Sequence, residues 1–212
     1  MLDPTAWHGL VLPVGHRLGP LHDPAGSGPP PSVVRRGDTA ELLDPDEAAV
    51  WDLARPQRAD AQPGDAVTLQ ERVARARLEP ALVDRLVARG LLLHVVPEDS
   101  GIGQVSARVR ARPLGSSTGG RTASGTVSFG APGAAPLDVP GADSEVWLAA
   151  VYAPDLWTAA GVLRAFWEPD RAAVATAAER ERPLARLWAV VPRFLAGGYG
   201  HLDTPGARPG GR

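Results

Sequence analysis

Glu41-Leu42-Leu43-Asp44-Pro45-Asp46-Glu47-Ala48-Ala49-Val50-Trp51-Asp52-Leu53-Ala54 decides how the chain is read. Leu42 and Leu43 end a strand-like segment, and a helix starts just after them. Asp44 can accept from free backbone N–H groups, Pro45 suits the first helical position, and Glu47 stands where a capping-box carboxylate reaches back. Asp46 and Glu47 place negative charge at the positive end of the helix dipole. At about 100° per residue, Ala49, Val50, Leu53 and Ala54 share one stripe, with Trp51 at its margin and Glu47, Asp52 and Arg55 outside. The stretch therefore predicts a strand end, a sharp turn and a tryptophan-anchored helix.

Upstream, residues 8–18 alternate loosely around Leu10, Val11, Leu12 and Val14, a strand that Pro13 confines to an edge. Asp23 to Pro31 is too rich in Pro and Gly to hold a ladder. Ser32 to Arg36, a turn at Gly37-Asp38, and Thr39 to Leu43 then make a hairpin leading into the helix. Downstream, residues 56–66 read as a loop, and Thr68-Leu69-Gln70-Glu71 is a second capping box, with Leu69, Val73 and Ala76 on one face. After Pro80 a third helix turns Leu82, Val83, Leu86 and Val87 inward and Asp84, Arg85, Ala88 and Arg89 outward, and Gly90 is its left-handed cap. Leu91 to Val96 reads as a strand, Pro97 to Gly103 as a turn, and Gln104 to Arg112 as the returning strand, with Ser106, Arg108, Arg110 and Arg112 on one face.

The second half reads as a repeat of the first, with chance similarity in an Ala/Leu/Gly-rich chain as the alternative. Leu18-Gly19 precedes Trp51 by the same 33 residues as Leu114-Gly115 precedes Trp147. Between the latter pair run a Gly/Ser-rich loop, a strand-like Thr126-Val127-Ser128-Phe129, and Leu137-Asp138-Val139-Pro140 approaching a helix. Arg85 to Gly90 resembles Arg193 to Gly198 at a larger offset, implying about a dozen extra residues, expected within 167–182. Asp155 caps a helix carrying Leu156, Ala159, Ala160, Leu163 and Phe166. Glu168 to Glu181 and Leu184 to Ala196 are expected as two further helices, the second kinked by Pro192. The residues from Thr204 onward are expected to be disordered.

Composition narrows the function classes. Of 212 residues, 44% are hydrophobic, so the chain has the makings of a core. Its 22 cations are all Arg, as a high-GC coding sequence favours, and carry little functional meaning by themselves. A net charge of −2 lacks the basic surplus typical of nucleic-acid binders. With no Cys there is no disulfide, thiolate metal site or thiol nucleophile. The first residues do not resemble a signal peptide, and apolar runs such as Val146 to Ala153 fall short of the roughly 20 residues of a membrane helix, so a cytoplasmic protein is expected.

The order hairpin, tryptophan helix, helix, short turn, helix, carried by Val73 to Leu92, resembles winged helix-turn-helix modules. Placing the hairpin first resembles the peptide-recognition variant that includes the pyrroloquinoline quinone peptide chaperones. The resemblance spans about 33–92 and, more faintly, 114–202. It implies an α+β protein of two tandem winged-helix-like modules, each a small antiparallel hairpin or sheet with three or four helices, over 1–111 and 112–203, with a tail at 204–212. In such a module a peptide adds as a strand to the hairpin edge and packs on the third helix. The resemblance thus points to Val34, Arg36, Asp84, Arg85 and Ala88 as peptide contacts. In a DNA-binding winged helix, Arg85, Arg89, Arg108, Arg110 and Arg112 would be the contacts instead. The plainer reading of these arginines is a solvated strand face and helix surface.

Catalytic readings are weaker. Gly115-Ser116-Ser117-Thr118-Gly119 matches Gly-x-Ser-x-Gly, with Asp143 or Asp155 and His201 following in hydrolase order. The mechanism needs a strand-turn-helix at the serine, where this sequence suggests loop and strand. Gly101-x-Gly103 lacks the rest of a dinucleotide fingerprint. His8, His16 and His22 have no spacing that fixes a metal. The six tryptophans read first as core, and secondarily as an aromatic pocket. The expectation is a non-catalytic binding or adaptor protein for a peptide or protein partner, with no cofactor, no metal and no membrane. The alternative is a DNA-binding regulator.

Overall fold

The computed structural model describes residues 9–21, 28–56, 68–96, 100–121, 125–130, 135–169 and 176–205. The chain divides into two compact units, Met1–Val96 and Pro97–Arg212, and is a mixed α+β protein of small antiparallel sheets.

In the first unit, β1 (Leu10–Pro13), β2 (His16–Pro20), β3 (Ser32–Arg36) and β4 (Thr39–Leu43) precede α1 (Pro45–Leu53), α2 (Leu69–Arg75), α3 (Ala81–Ala88) and β5 (Leu92–Val95). β2, β3 and β4 form one sheet in that order, and β1 pairs with β5. Asp44 and Thr68 both close reciprocal capping boxes, with Glu47 and Glu71. Gly90 adopts φ +69° after α3, and the Leu91 N–H returns to the Leu86 carbonyl at 2.8 Å, so the helix stops in a left-handed cap. Leu43, Val50, Trp51, Val73, Leu82 and Leu86 close the core. Trp51 is fully buried rather than marginal, its indole N–H donating to the Val14 carbonyl at 3.3 Å.

In the second unit, α4 (Ile102–Ser106) leads into β6 (Arg110–Pro113), β7 (Ser116–Arg121), β8 (Thr126–Gly130) and β9 (Leu137–Pro140). Then come α5 (Gly141–Tyr152), α6 (Leu156–Trp167), α7 (Ala177–Ala196) and β10 (Gly200–Asp203). β7, β8 and β9 form a sheet in that order, and β6 pairs with β10. From β6 onward this is the order and pairing of the first unit. Trp147 follows Gly141 at the spacing by which Trp51 follows Pro45, and it too is buried. Gly198, at φ +77°, caps α7 as Gly90 caps α3, with the Tyr199 N–H on the Phe194 carbonyl at 2.9 Å. Trp147 stacks on Phe194 at 4.3 Å, and Phe129 meets Phe194 edge-on at 5.0 Å. A Cβ on Gly200 would come within 2.5 Å of the Trp147 ring, so that close approach requires glycine.

Four expectations are corrected. The boundary falls after Val96 instead of Ala111, because Gln104 to Arg112 is not the return strand of a wing. Its first part is α4, where Ile102 and Ser106 face inward and Ser106 accepts the Trp188 indole N–H at 3.0 Å. Such a short apolar run fits either period, and burial decided for the helix. The Gly/Ser-rich segment after Leu114 is the strand β7 rather than a loop. The expected break before Leu184 is absent, since α7 runs through both Pro183 and Pro192, with 20 residues against 8 in α3. Phe166, expected inward, is 67% exposed, while Arg164 turns in and pairs with Glu179 at 3.0 Å. Trp7, His8, His22 and the segment from 206 onward lie outside the described residues.

Candidate functional site

The hairpin and α3 of the first unit form the most developed polar constellation with an open edge. The turn Gly37-Asp38 closes β3 on β4, and Gly37 supplies the positive φ, +56°, that suits the first central position of a two-residue hairpin turn. From the Arg36–Thr39 closing pair, ladder pairs alternate. Thr39, Glu41 and Leu43 therefore turn their backbone groups toward β3, while Ala40 and Leu42 turn theirs away. The Arg89 guanidinium donates to the Leu42 carbonyl at 2.9 Å, which agrees with that alternation. Among the described residues no strand pairs with the outer side of β4. Leu42 is 53% exposed there.

Arg89 also reaches Glu47 at 2.9 Å and Glu41 at 3.3 Å. Burial works against its charge, but the hydrogen bonds and charges of Glu47 and Glu41 together outweigh it and raise its pKa, so it is a fixed cation. Arg36 pairs with Glu41 at 3.3 Å and lies over Gly90, where an added Cβ would meet its guanidinium at 2.6 Å. One network thus ties β3, β4, α1 and the end of α3 together. Glu47, read as lying outside the apolar stripe, is largely buried because its carboxylate serves both its own cap and Arg89. The capping box announced Glu47, but nothing local announced Arg89 as its partner, which lies 42 residues away.

The predicted peptide contacts separate. Val34 is fully buried, and both Val34 and Arg36 lie on β3, the middle strand, so neither offers a free edge. The open edge belongs to β4. Asp84, Arg85 and Ala88 are exposed on α3, as expected. The predicted DNA contacts divide between units: Arg85 and Arg89 belong to the first, and Arg108, Arg110 and Arg112 to the second. Arg89 is held in the network above, Arg85 stands 3.8 Å from Glu79, and Arg112 stands 3.8 Å from Asp203.

The second unit has a counterpart to the buried acid. Asp143 follows β9 as Glu47 follows β4, its side chain is 2% exposed, and it accepts from both Arg186 and Arg193. Arg193 holds the position relative to the helix cap that Arg85 holds in the first unit. Ser117 sits inside β7 opposite Phe129, so the Gly-x-Ser-x-Gly segment forms no strand-turn-helix. Asp155 caps α6 through the Thr158 N–H at 2.6 Å.

No family model matches the chain, and no match is found among the curated proteins or the solved structures. No helix among the described residues is long and apolar enough to cross a membrane.

Proposed function

We propose that the chain is a non-catalytic binding protein whose first unit takes an extended peptide segment along the outer side of β4. The observation that carries this reading is the open edge at Ala40 and Leu42, with the Arg89 network holding the strand in place. An added strand would hydrogen-bond to the outward groups of Ala40 and to the Leu42 N–H, the Leu42 carbonyl being held by Arg89, and would set its side chains against Leu42 and the exposed side of α3, at Asp84, Arg85 and Ala88. In this reading each unit is a winged-helix-like module whose leading hairpin is its working part. The order of sheet, three helices and closing strand supports that assignment. The DNA reading is weakened by the pairing of Arg89 and Arg112, and because among the described residues β5 pairs with β1 and with no returning strand.

The test is selection of binders from a randomised peptide library, followed by titration against variants. Ala40→Pro removes an outward N–H and leaves the β3 ladder intact, so it is expected to weaken selected peptides about tenfold or more, the cost of roughly one or two charge-free hydrogen bonds plus steric block. Affinity is expected to change little between low and moderate salt. Peptides that bind Ala40→Pro as well as the parent would sink the edge model. DNA retention with a steep salt slope would establish the regulator reading in its place.

A further inference from the structure

A cleft of about 480 Å³ opens in the second unit between the end of α6 and the outer face of α7. Trp167 forms one wall and is 38% exposed. Arg182, Ala185, Arg186 and Ala189 form the other, at the spacings that put residues on one helical stripe. The two alanines leave an apolar strip, and the two arginines line one side of it.

Asp143 is one buried carboxylate shared by two guanidiniums, Arg186 and Arg193, so this trio keeps a positive surplus, and Arg182 adds to it. Arg186 is held in place by Asp143 yet remains 44% exposed. A fixed guanidinium of this kind is suited to bidentate recognition of a carboxylate, and an indole face suits a flat apolar body.

The cleft is built from what distinguishes the two units. Matching the caps at Gly90 and Gly198 brings Ala81, the first residue of α3, onto Ala189. Arg182, Ala185 and Arg186 then fall in the part of α7 that α3 does not have. That extension is thus the segment that turns a closed module into one with a receptor face. Its volume lies in the range of roughly 300–1,000 Å³ usual for small-ligand sites.

The geometry points to a binding site for a small organic anion, a planar apolar body bearing a carboxylate, seated between Trp167 and the Arg182–Arg186 face. This site lies in the other unit and does not depend on the peptide reading. The probe is 2-naphthoate, titrated into the full-length ¹⁵N-labelled protein, with 2-naphthamide as its uncharged counterpart. The expected result is saturable movement of the Trp167 indole N–H and Arg182 Nε–H signals, with the amide binding at least tenfold more weakly. Arg182→Ala, an exposed position, is expected to lose at least fivefold, while Arg75→Ala in the first unit has no effect. No saturation at millimolar naphthoate, or equal binding of acid and amide, would overturn the site. Should Arg182→Ala not fold, the acid–amide comparison on the parent protein still decides.

Discussion

At the scale of single residues, two side chains carry costs that can be measured. Arg77 adopts φ +58° at the end of α2, the only non-glycine with positive φ among the described residues, and its N–H returns to the Ala74 carbonyl at 3.0 Å. Left-handed backbone costs a side chain about 1 kcal/mol or more, so Arg77→Gly is expected to raise stability by about 0.5–1 kcal/mol in urea unfolding. His16 on β2 has its pKa lowered by burial first, then by Arg35 and Arg55. A histidine held neutral in the fold takes up a proton more readily when unfolded. Its contribution is therefore complete above about pH 6.5 and declines as pH falls below that value, down to the folded pKa. Unfolding midpoints followed from pH 8 to 5 are expected to fall in the parent more than in His16→Gln. Arg89→Ala leaves the buried Glu47 carboxylate short of a partner and is expected to cost about 1–3 kcal/mol. Residue chemistry set by near neighbours was legible in the sequence. Asp44, Thr68, Asp155 and Gly90 do what their types at those places imply. The network of Arg36, Glu41, Glu47 and Arg89 was not legible, since its members meet only through the fold.

At the scale of elements, the same division holds. The hairpin β3–β4, the helices α1, α2, α3 and α6, and the strand β8 stand within a residue or two of their expected ranges, because turn residues, caps and period mark them twice over. Failures occurred where one signal stood alone. Period two in Val105, Ala107, Val109 and Ala111 suggested a long strand, but Ser106 gained a buried bond from Trp188 as part of a helical turn. In α7, Pro192 suggested a kink, and two helices were expected where one runs through Pro183 and Pro192. An interior proline costs about 3 kcal/mol, yet Leu184, Leu187, Trp188, Val191 and Phe194 are all buried along the same helix and outweigh it. Pro192→Ala, at a half-buried site, is expected to restore a backbone bond and stabilise the second unit by about 1–3 kcal/mol, read from thermal unfolding.

At the scale of the whole molecule, repetition was legible through Trp51 and Trp147, and the boundary was not, because it hinged on the misread strand before β6. Each unit buries a valine beside its tryptophan, which makes a quantitative expectation. Val50 and Val146 are corresponding, fully buried residues beside the two tryptophans. Changing either to Ala is expected to cost about 2–3 kcal/mol, and the double variant is expected to show the sum within about 0.5 kcal/mol in denaturant titrations. A larger departure would mean that the two sites are energetically coupled.

The pairing of first strand with last in each unit, β1 with β5 and β6 with β10, has a consequence for how the chain can be rearranged. Where two strands are neighbours, entry and exit lie about 5 Å apart. The first unit is therefore a cassette: the chain enters and leaves at one doorway, and the rest of the unit hangs from it; in the second unit the same holds from β6 onward, with α4 ahead of the doorway. A cassette of this form can be added in line or removed without stretching what flanks it, and it accepts new ends elsewhere, in a loop such as Gly37-Asp38. A reordered chain that joins Val96 back to Gly9 through a short linker is a natural construction for the first unit, since the doorway already brings those residues together.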